Sequence, residues 1–175
     1  MDPLSVIAST IAILQATAAT YRAIQHLKGL PKEFDEVYKN LPVAQDTLRQ
    51  AHDHLQGQSL DDASKAALQP VVSDCERDVA KLHKIFETVA NAVKNTKDGS
   101  VLDFYRTSLL RLGKANRVET LMRGVLSSLD KLATNRLFQT ATQNQVAQLK
   151  ESFEKLSTVE SSVPNSEFED LGTVM

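Results

Sequence analysis

The sequence has few of the residues that interrupt helices. It contains 6 glycines, 5 prolines and no tryptophan among 175 residues, and aromatic residues make up 5% of the chain. Glycine and proline both disfavour helix interiors, so their scarcity favours long helices. No segment shows the alternation of apolar and polar residues that a half-buried strand requires. We therefore predict an all-α fold, a bundle of about five to six long helices, some of them kinked at proline.

A single cysteine and a small net charge exclude further classes of protein. Cys75 has no partner for an intramolecular disulfide, which favours a reducing compartment. It lies on a regular apolar stripe, and we interpret it as a small core residue. The chain has a net charge of -2, whereas most nucleic-acid-binding proteins have an excess of basic residues. We therefore expect no nucleic acid partner. The N-terminus has no basic segment before its apolar residues, unlike a secretory signal, and we expect a cytoplasmic protein.

An uncharged segment opens the chain, because no charged residue lies between Asp2 and Arg22. Asp2 and Pro3 form a typical helix start, since Asp caps free amides and Pro suits the first turn. At about 1.5 Å per residue the uncharged part spans about 28 Å, close to the thickness of a bilayer core. The residues that define its apolar stripe are Leu4, Val6, Ile7, Ile11, Ile13, Leu14, Ala18 and Tyr21.

Two interpretations of this first helix remain open from the sequence. In one it is the central helix of a soluble bundle. In the other it also leaves the bundle and enters a membrane. Its six large aliphatic residues favour insertion by about 2 to 4 kcal/mol, and its Ser, Thr and Gln residues oppose insertion. Insertion would therefore be marginal and would need self-association or another trigger.

The rest of the chain continues the helical pattern. We predict further helices over residues 32–54, 62–95, 101–112, 118–137 and 146–156, the last two separate or continuous. Pro42 predicts a kink or break near Asn40, and Pro70 predicts an interruption of the third helix. Residues 97–100 are predicted to form a turn. We assign residues 1–160 to one helical domain and residues 161–175 to a flexible tail or linker.

No catalytic or cofactor-binding motif is present, and we predict a protein that is not an enzyme and holds no metal or cofactor. Gly113-Lys114 lacks the second glycine and the Ser or Thr of a phosphate-binding loop, and the histidines lack zinc-ligand spacing. One charge feature has two open interpretations, a solvated helix face or a patch for anionic lipid or a protein partner. Its residues are Arg106, Arg111, Lys114, Arg117 and Arg123.

Several short strings, in this order, resemble the fungal SesA domain. They are Asp2-Pro3-Leu4-Ser5-Val6, Gly29-Leu30-Pro31-Lys32-Glu33-Phe34, Asn40-Leu41-Pro42, Leu68-Gln69-Pro70-Val71-Val72, Asp74-Cys75, Lys84-Ile85-Phe86, Leu112-Gly113-Lys114, Val118-Glu119-Thr120-Leu121-Met122 and Ser162-Val163-Pro164-Asn165-Ser166-Glu167-Phe168. The resemblance covers nearly the whole chain. The sequence contains neither an NTPase nor the glycine- and asparagine-rich signalling motif that often follows such domains.

The resemblance implies an N-terminal domain of NACHT-type and other P-loop NTPases, related to the HeLo and HeLo-like domains of fungal NOD-like receptors. It implies regulated cell death and heterokaryon incompatibility, through oligomerisation and membrane permeabilisation by the first helix. Leu4 to Tyr21 would then be the membrane-active segment. The implied partners are membrane lipids, further copies of the chain and a NOD-like receptor or linked NTPase. The protein would move from the cytoplasm to the plasma membrane on activation. The alternative is a soluble protein-interaction adaptor without membrane activity.

Overall fold

The computed structural model describes residues 2–95, 101–135, 143–159 and 161–165, and these ranges contain six α-helices and no strand. The all-α prediction is confirmed. The helices are α1 Pro3–Ile24, α2 Lys32–Leu55, α3 Asp62–Asn95, α4 Val101–Leu112, α5 Val118–Ala133 and α6 Gln143–Ser157, with a 3-10 turn at Lys114–Asn116. The predicted turn over residues 97–100 and the connection between α5 and α6 lie outside the described residues.

Four helices form a closed ring of neighbours around the core. α1 packs against α2 and α3, and α5 packs against the same two helices from the other side. α1 and α5 are therefore diagonally opposite in a four-helix bundle. α6 covers α5 and α2, whereas α4 packs on α3 and the 3-10 turn. α1 is thus one of the four helices that enclose the core, and α6 covers α5 and α2 but not α1.

The two internal prolines do not divide their helices. α2 runs through Pro42 and α3 runs through Pro70 as single helices of 24 and 34 residues. The predicted interruption at Pro70 is therefore wrong, and of the kink or break predicted near Asn40 the break is wrong. A proline removes one backbone hydrogen bond, and buried residues on both sides hold the helix in place. These residues are Val37, Leu41 and Ala44 in α2, and Leu68 and Val72 in α3.

The chain does not leave the bundle at residue 160, where we predicted the domain to end. Residues 161–165, which we call the C-terminal strap, return to the junction of α4 and α5. Val163 is 1% exposed and belongs to the hydrophobic core. These five residues therefore pack against the domain that we assigned to residues 1–160, and residues 166–175 lie outside the described part of the chain.

Cys75 is a core residue, as predicted, and its burial makes the stability of the bundle depend on pH. Burial, with the charges of Asp78 and Glu76, raises the pKa of the Cys75 thiol from 9.0 to about 12. Between these two values the unfolded chain loses a proton that the folded chain keeps. The thiol therefore contributes its full stability below about pH 9, and this contribution falls as the pH rises toward 12.

We expect the free energy of unfolding of the wild type to fall more steeply than that of Cys75→Ala between about pH 9 and about pH 11. Urea titrations of both proteins measure the two slopes. Tyrosine ionisation affects both proteins alike, so the difference between the slopes reports the thiol. Equal slopes would contradict the assignment, and so would rapid reaction of the native thiol with a disulfide reagent.

Candidate functional site

The apolar stripe of α1 faces the groove between α2 and α3. Ile7 and Leu14 are completely buried, and Val6 and Tyr21 are 2% and 5% exposed. Leu4, Ile11 and Ile13 are partly buried against the same core. All seven residues of the predicted membrane-active segment therefore pack against the core of the bundle.

The opposite face of α1 is exposed and carries only small or polar side chains. Pro3 occupies the first turn of α1 as predicted. Asp2 precedes it in an extended conformation but makes no side-chain capping hydrogen bond, so the predicted cap by Asp2 is wrong. By length and composition, α1 is the one helix in the described ranges that could cross a membrane, with a mean hydropathy of 1.4 over its best window. Only 39% of that window is buried in the bundle. The exposed residues of α1 from its first to its penultimate turn are Ser5, Ala8, Ser9, Ala12, Gln15, Ala16 and Ala19.

Three threonines of α1 satisfy their hydroxyl groups within the helix itself. The hydroxyls of Thr10 and Thr17 donate to the carbonyl oxygens of Val6 and Ile13, each at 2.8 Å. The hydroxyl of Thr20 donates to the carbonyl of Ala16 at 3.0 Å. A hydroxyl that is paired inside its own helix needs no partner from the surroundings. The cost of placing these threonines in an apolar environment is therefore lower than the sequence suggested.

An aromatic cluster holds the C-terminal end of α1. The Tyr21 ring stacks on Tyr38 with centroids 4.5 Å apart and lies 6.3 Å from Phe86. Phe86 in turn lies 4.8 Å from Phe34, and Phe34 meets Tyr105 edge-on at 4.9 Å. These five rings come from α1, α2, α3 and α4. The cluster thus joins α1 to three other helices at one point.

A hydrogen bond and an ion pair reinforce this contact at the bundle surface. The Tyr21 hydroxyl donates to Asp35 Oδ1 at 3.1 Å. Lys39 Nζ lies 3.0 Å from the other oxygen of the same carboxylate. The Asp35 carboxylate is therefore fixed between α1 and its own helix, which orients it toward Tyr21.

The five cations of the predicted basic patch do not form one surface. Arg117 is 8% exposed, and its guanidinium is engaged inside the protein. Arg106 pairs with Asp103 at 3.6 Å, and Arg123 donates to the Thr120 hydroxyl at 3.3 Å. Arg111 and Lys114 are exposed. The inclusion of Arg117 in a lipid or partner patch is therefore corrected, because folding buries it.

Arg117 fastens the C-terminal strap instead. Its Nη1 donates to the carbonyl of Val163 at 3.0 Å, and its Nη2 donates to Asn165 Oδ1 at 2.9 Å. Its Nε donates to the Lys114 carbonyl at 3.0 Å. The planar guanidinium thus spans the chain before α5 and the strap that returns from α6.

A second set of polar contacts fixes the strap beside Arg117. The buried Glu119 carboxylate accepts a hydrogen bond from the Ser162 amide at 2.7 Å and another from the Ser162 hydroxyl. That hydroxyl also contacts the Tyr105 hydroxyl, which accepts a hydrogen bond from the Val118 amide at 3.1 Å. A carboxylate only accepts hydrogen bonds, so the Ser162 hydroxyl donates to Glu119. The Tyr105 hydroxyl then donates to Ser162 and accepts from the Val118 amide, which gives all the hydrogen bonds one direction. Burial, with the Glu119 charge, raises the pKa of Tyr105 and keeps its hydroxyl protonated.

No group of three or more His, Cys, Asp or Glu residues is placed to hold a metal ion in the described ranges. Asp61, at the start of α3, accepts a hydrogen bond from the Ser64 amide at 2.8 Å and so caps the helix. His83 lies 3.1 Å from Glu87 one turn along the same helix. These contacts are typical of helix surfaces.

Arg111 belongs to a cationic cleft that sequence reasoning missed. The cleft lies between α3 and α4, and Lys81 and Lys84 line it from α3. Their spacing of three along a helix places them on one face, which is a sequence signal. Their proximity to Arg111 depends on the packing of α3 against α4, which the sequence does not show.

Comparison with protein families gives a match over most of the bundle. The family model SesA, described as the N-terminal domain on NACHT NTPases and P-loop NTPases, matches residues 7–132. No curated protein and no solved structure matches the chain. The match begins within α1 and ends within α5, so it spans the four-helix bundle and stops before α6 and the C-terminal strap. The chain therefore belongs to the SesA family of N-terminal domains on NACHT and P-loop NTPases.

Proposed function

We propose that this domain is a non-enzymatic effector of a NOD-like receptor system and acts by releasing α1 into a membrane. At rest α1 occupies the groove between α2 and α3. Activation through a linked or partner NTPase brings copies of the domain together at the plasma membrane. Released α1 helices then enter the bilayer, permeabilise it and cause cell death.

The observation that carries this proposal is the construction of α1. It is a helix of 22 residues without a charge before Arg22, and it lies at the edge of the bundle with one face exposed. Its three threonine hydroxyls donate to carbonyl oxygens of α1 itself, so these hydrogen bonds remain when the helix leaves the bundle. A bilayer offers no partners for unpaired polar groups, so internal pairing suits a helix that exchanges one apolar environment for another.

The energy of burial requires that the release of α1 be coupled to contact with lipid and with other copies of the domain. Val6, Ile7 and Leu14 are almost completely buried. Removing these three side chains from the core would cost about 5 to 9 kcal/mol. This is comparable to the whole stability of a typical domain, about 5 to 15 kcal/mol. In an isolated monomer in water, α1 therefore stays packed in the groove between α2 and α3. Lipid contact and contact between copies must replace the lost burial.

Vesicle leakage with the point variant Ala12→Lys tests the proposal. Ala12 is exposed near the middle of α1, so the substitution leaves the resting bundle intact. A lysine at the centre of a membrane-spanning helix opposes insertion by about 2.5 to 3.5 kcal/mol. We expect the wild type to release dye from anionic vesicles and Ala12→Lys to fall to the background without protein. Deletion of α1 is a poorer test, since it removes Ile7 and Leu14 from the core.

The matched control is Ala67→Lys, which adds the same charge at an exposed position of α3. We expect it to cause as much leakage as the wild type. A lysine strengthens attraction to an anionic surface, so loss of leakage in Ala12→Lys cannot come from weaker surface binding. Equal leakage from Ala12→Lys and the wild type would refute the insertion of α1, as would a wild type that causes none.

One observation favours a different function, that of a soluble adaptor. Every large apolar residue of α1 already contacts the core, and its exposed face is made of small residues. In an adaptor α1 stays in the bundle, and the domain recruits a receptor through another surface. Sedimentation with anionic vesicles at low salt separates the two functions, because an adaptor leaves no fraction bound to lipid.

A further inference from the structure

The cleft between α3 and α4 gathers positive charge around a partly open space of about 390 Å³. Lys81 and Lys84 contribute from α3, and Arg111 contributes from α4. All three side chains are exposed. The lining residues, all within the described ranges, include no Asp or Glu. The cleft is therefore a site of concentrated positive charge.

These charges are largely uncompensated within the protein. Among the described residues, neither Lys84 nor Arg111 lies within ion-pair distance of a carboxylate. Lys81 has an electrostatic interaction with Asp78, but Asp78 also lies 3.6 Å from Arg77. Three like charges at one cleft repel one another, and a bound anion of more than one charge would relieve that repulsion.

The rest of the lining is apolar or neutral and polar. Ile85 forms a buried part of the wall, and Leu112 is 52% exposed, the largest exposure of any large apolar side chain in the described ranges. Ser108, Thr88 and Asn116 complete the lining with neutral polar side chains. A ligand that suits these walls combines an anionic group with an adjoining apolar part.

We propose that this cleft binds the phosphate group of an anionic membrane lipid. The Arg111 guanidinium offers the planar donor pair that phosphate oxygens accept, while Lys81 and Lys84 supply further positive charge. Exposed Leu112 at the edge of the cleft contacts the apolar region beside the head group. The proposal deepens the proposed function and rests on it, because a membrane is the source of the ligand.

Binding to vesicles, measured separately from leakage, tests this site. The probes are phosphatidylcholine vesicles with and without phosphatidic acid, and inorganic phosphate or glycerol phosphate in solution. We expect the wild type to bind only the vesicles that contain phosphatidic acid. Each cation removed near an anionic surface weakens binding about five-fold, so the double variant Lys84→Gln/Arg111→Gln should bind about 25-fold more weakly.

The matched control is Lys65→Gln/Lys131→Gln, which removes two exposed charges outside the cleft. We expect it to bind within about two-fold of the wild type. Equal weakening in both double variants would overturn the site in favour of nonspecific attraction. Leu112→Ser should weaken binding to vesicles and leave any binding of glycerol phosphate unchanged. Saturable binding of soluble phosphate without binding to vesicles would overturn the lipid assignment.

These outcomes are independent of the insertion of α1. Ala12→Lys should retain full binding to vesicles that contain phosphatidic acid while it loses leakage. Normal binding without leakage in the wild type would count against the proposed function alone. Normal leakage with no preference for phosphatidic acid would count against the phosphate site alone.

Discussion

Replacing Phe86 with alanine should lower the free energy of unfolding by about 3 to 5 kcal/mol, the usual cost of truncating a buried aromatic residue. Phe86 is completely buried and contacts the rings of both Tyr21 and Phe34. Its loss leaves a cavity at the point where α1, α2 and α3 meet. Urea unfolding measures the change, and hydrogen exchange along α1 shows whether that helix loses protection first.

The matched control for this prediction is Phe153→Ala. Phe153 is a phenylalanine of α6 that is 39% exposed, so its truncation removes less buried surface than that of Phe86. We expect it to cost about 1 to 2 kcal/mol, clearly less than Phe86→Ala. A similar loss in both variants would show that the aromatic cluster does not stabilise the bundle more than an exposed ring does. Unchanged protection of α1 in Phe86→Ala would show that the cluster does not hold this helix.

Tyr21→Phe separates the hydrogen bond of the cluster from its packing. The variant keeps the ring on Tyr38 and removes only the bond from the hydroxyl to Asp35. A net cost of about 1 kcal/mol is typical for one such bond. The difference between this cost and that of Phe86→Ala separates polar anchoring from aromatic packing at the end of α1.

The helical pattern of the sequence predicted most of the fold, because apolar residues at steps of three and four report which face of a helix is buried. The stripe through Ile7 and Leu14 does face the core. The low intrinsic helix preference of proline did not predict the structure at Pro42 and Pro70, where the helices continue. Pro42 lowers the intrinsic preference for a helix, but burial of Leu41 and Ala44 on either side outweighs the loss of one hydrogen bond.

The pattern could not predict which helices are neighbours or which cations share a surface. Both depend on packing between distant segments. Lys84 and Arg111 are 27 positions apart in the sequence and line one cleft. In contrast, Arg111 and Arg117 are close in sequence, yet the first is exposed and the second is buried. A basic cluster in the sequence therefore did not correspond to a basic surface.

The C-terminal strap shows the same limit. Its sequence, rich in serine and without a helical period, resembled a mobile tail. Three polar residues of the bundle, Tyr105, Arg117 and Glu119, give it an ordered position. Tyr105 belongs to α4, Arg117 directly precedes α5 and Glu119 lies in its first turn, and their sequence positions carry no sign of the strap that they bind.

Arg117→Ala should therefore be among the most destabilising substitutions of a charged residue in this protein. It removes three hydrogen bonds from the guanidinium and leaves the Val163 carbonyl without that donor. A hydrogen bond from a charged group contributes about 1.5 to 3 kcal/mol, so the loss of three such bonds costs about 3 kcal/mol or more. We expect a loss of this size in urea unfolding and faster hydrogen exchange at residues 161–165.

Two further arginine variants decide whether the geometry of the Arg117 guanidinium or its charge holds the C-terminal strap in place. Arg111→Ala removes an exposed guanidinium and should change the free energy of unfolding by less than about 0.5 kcal/mol. Arg117→Lys keeps the positive charge but lacks the planar fork that reaches Lys114, Val163 and Asn165 together, so it should restore less than half of the loss. Full rescue by lysine would show that charge alone holds the strap. Equal stability of Arg117→Ala and Arg111→Ala would show that the strap is not bound in solution, and residue 160 would again mark the end of the domain.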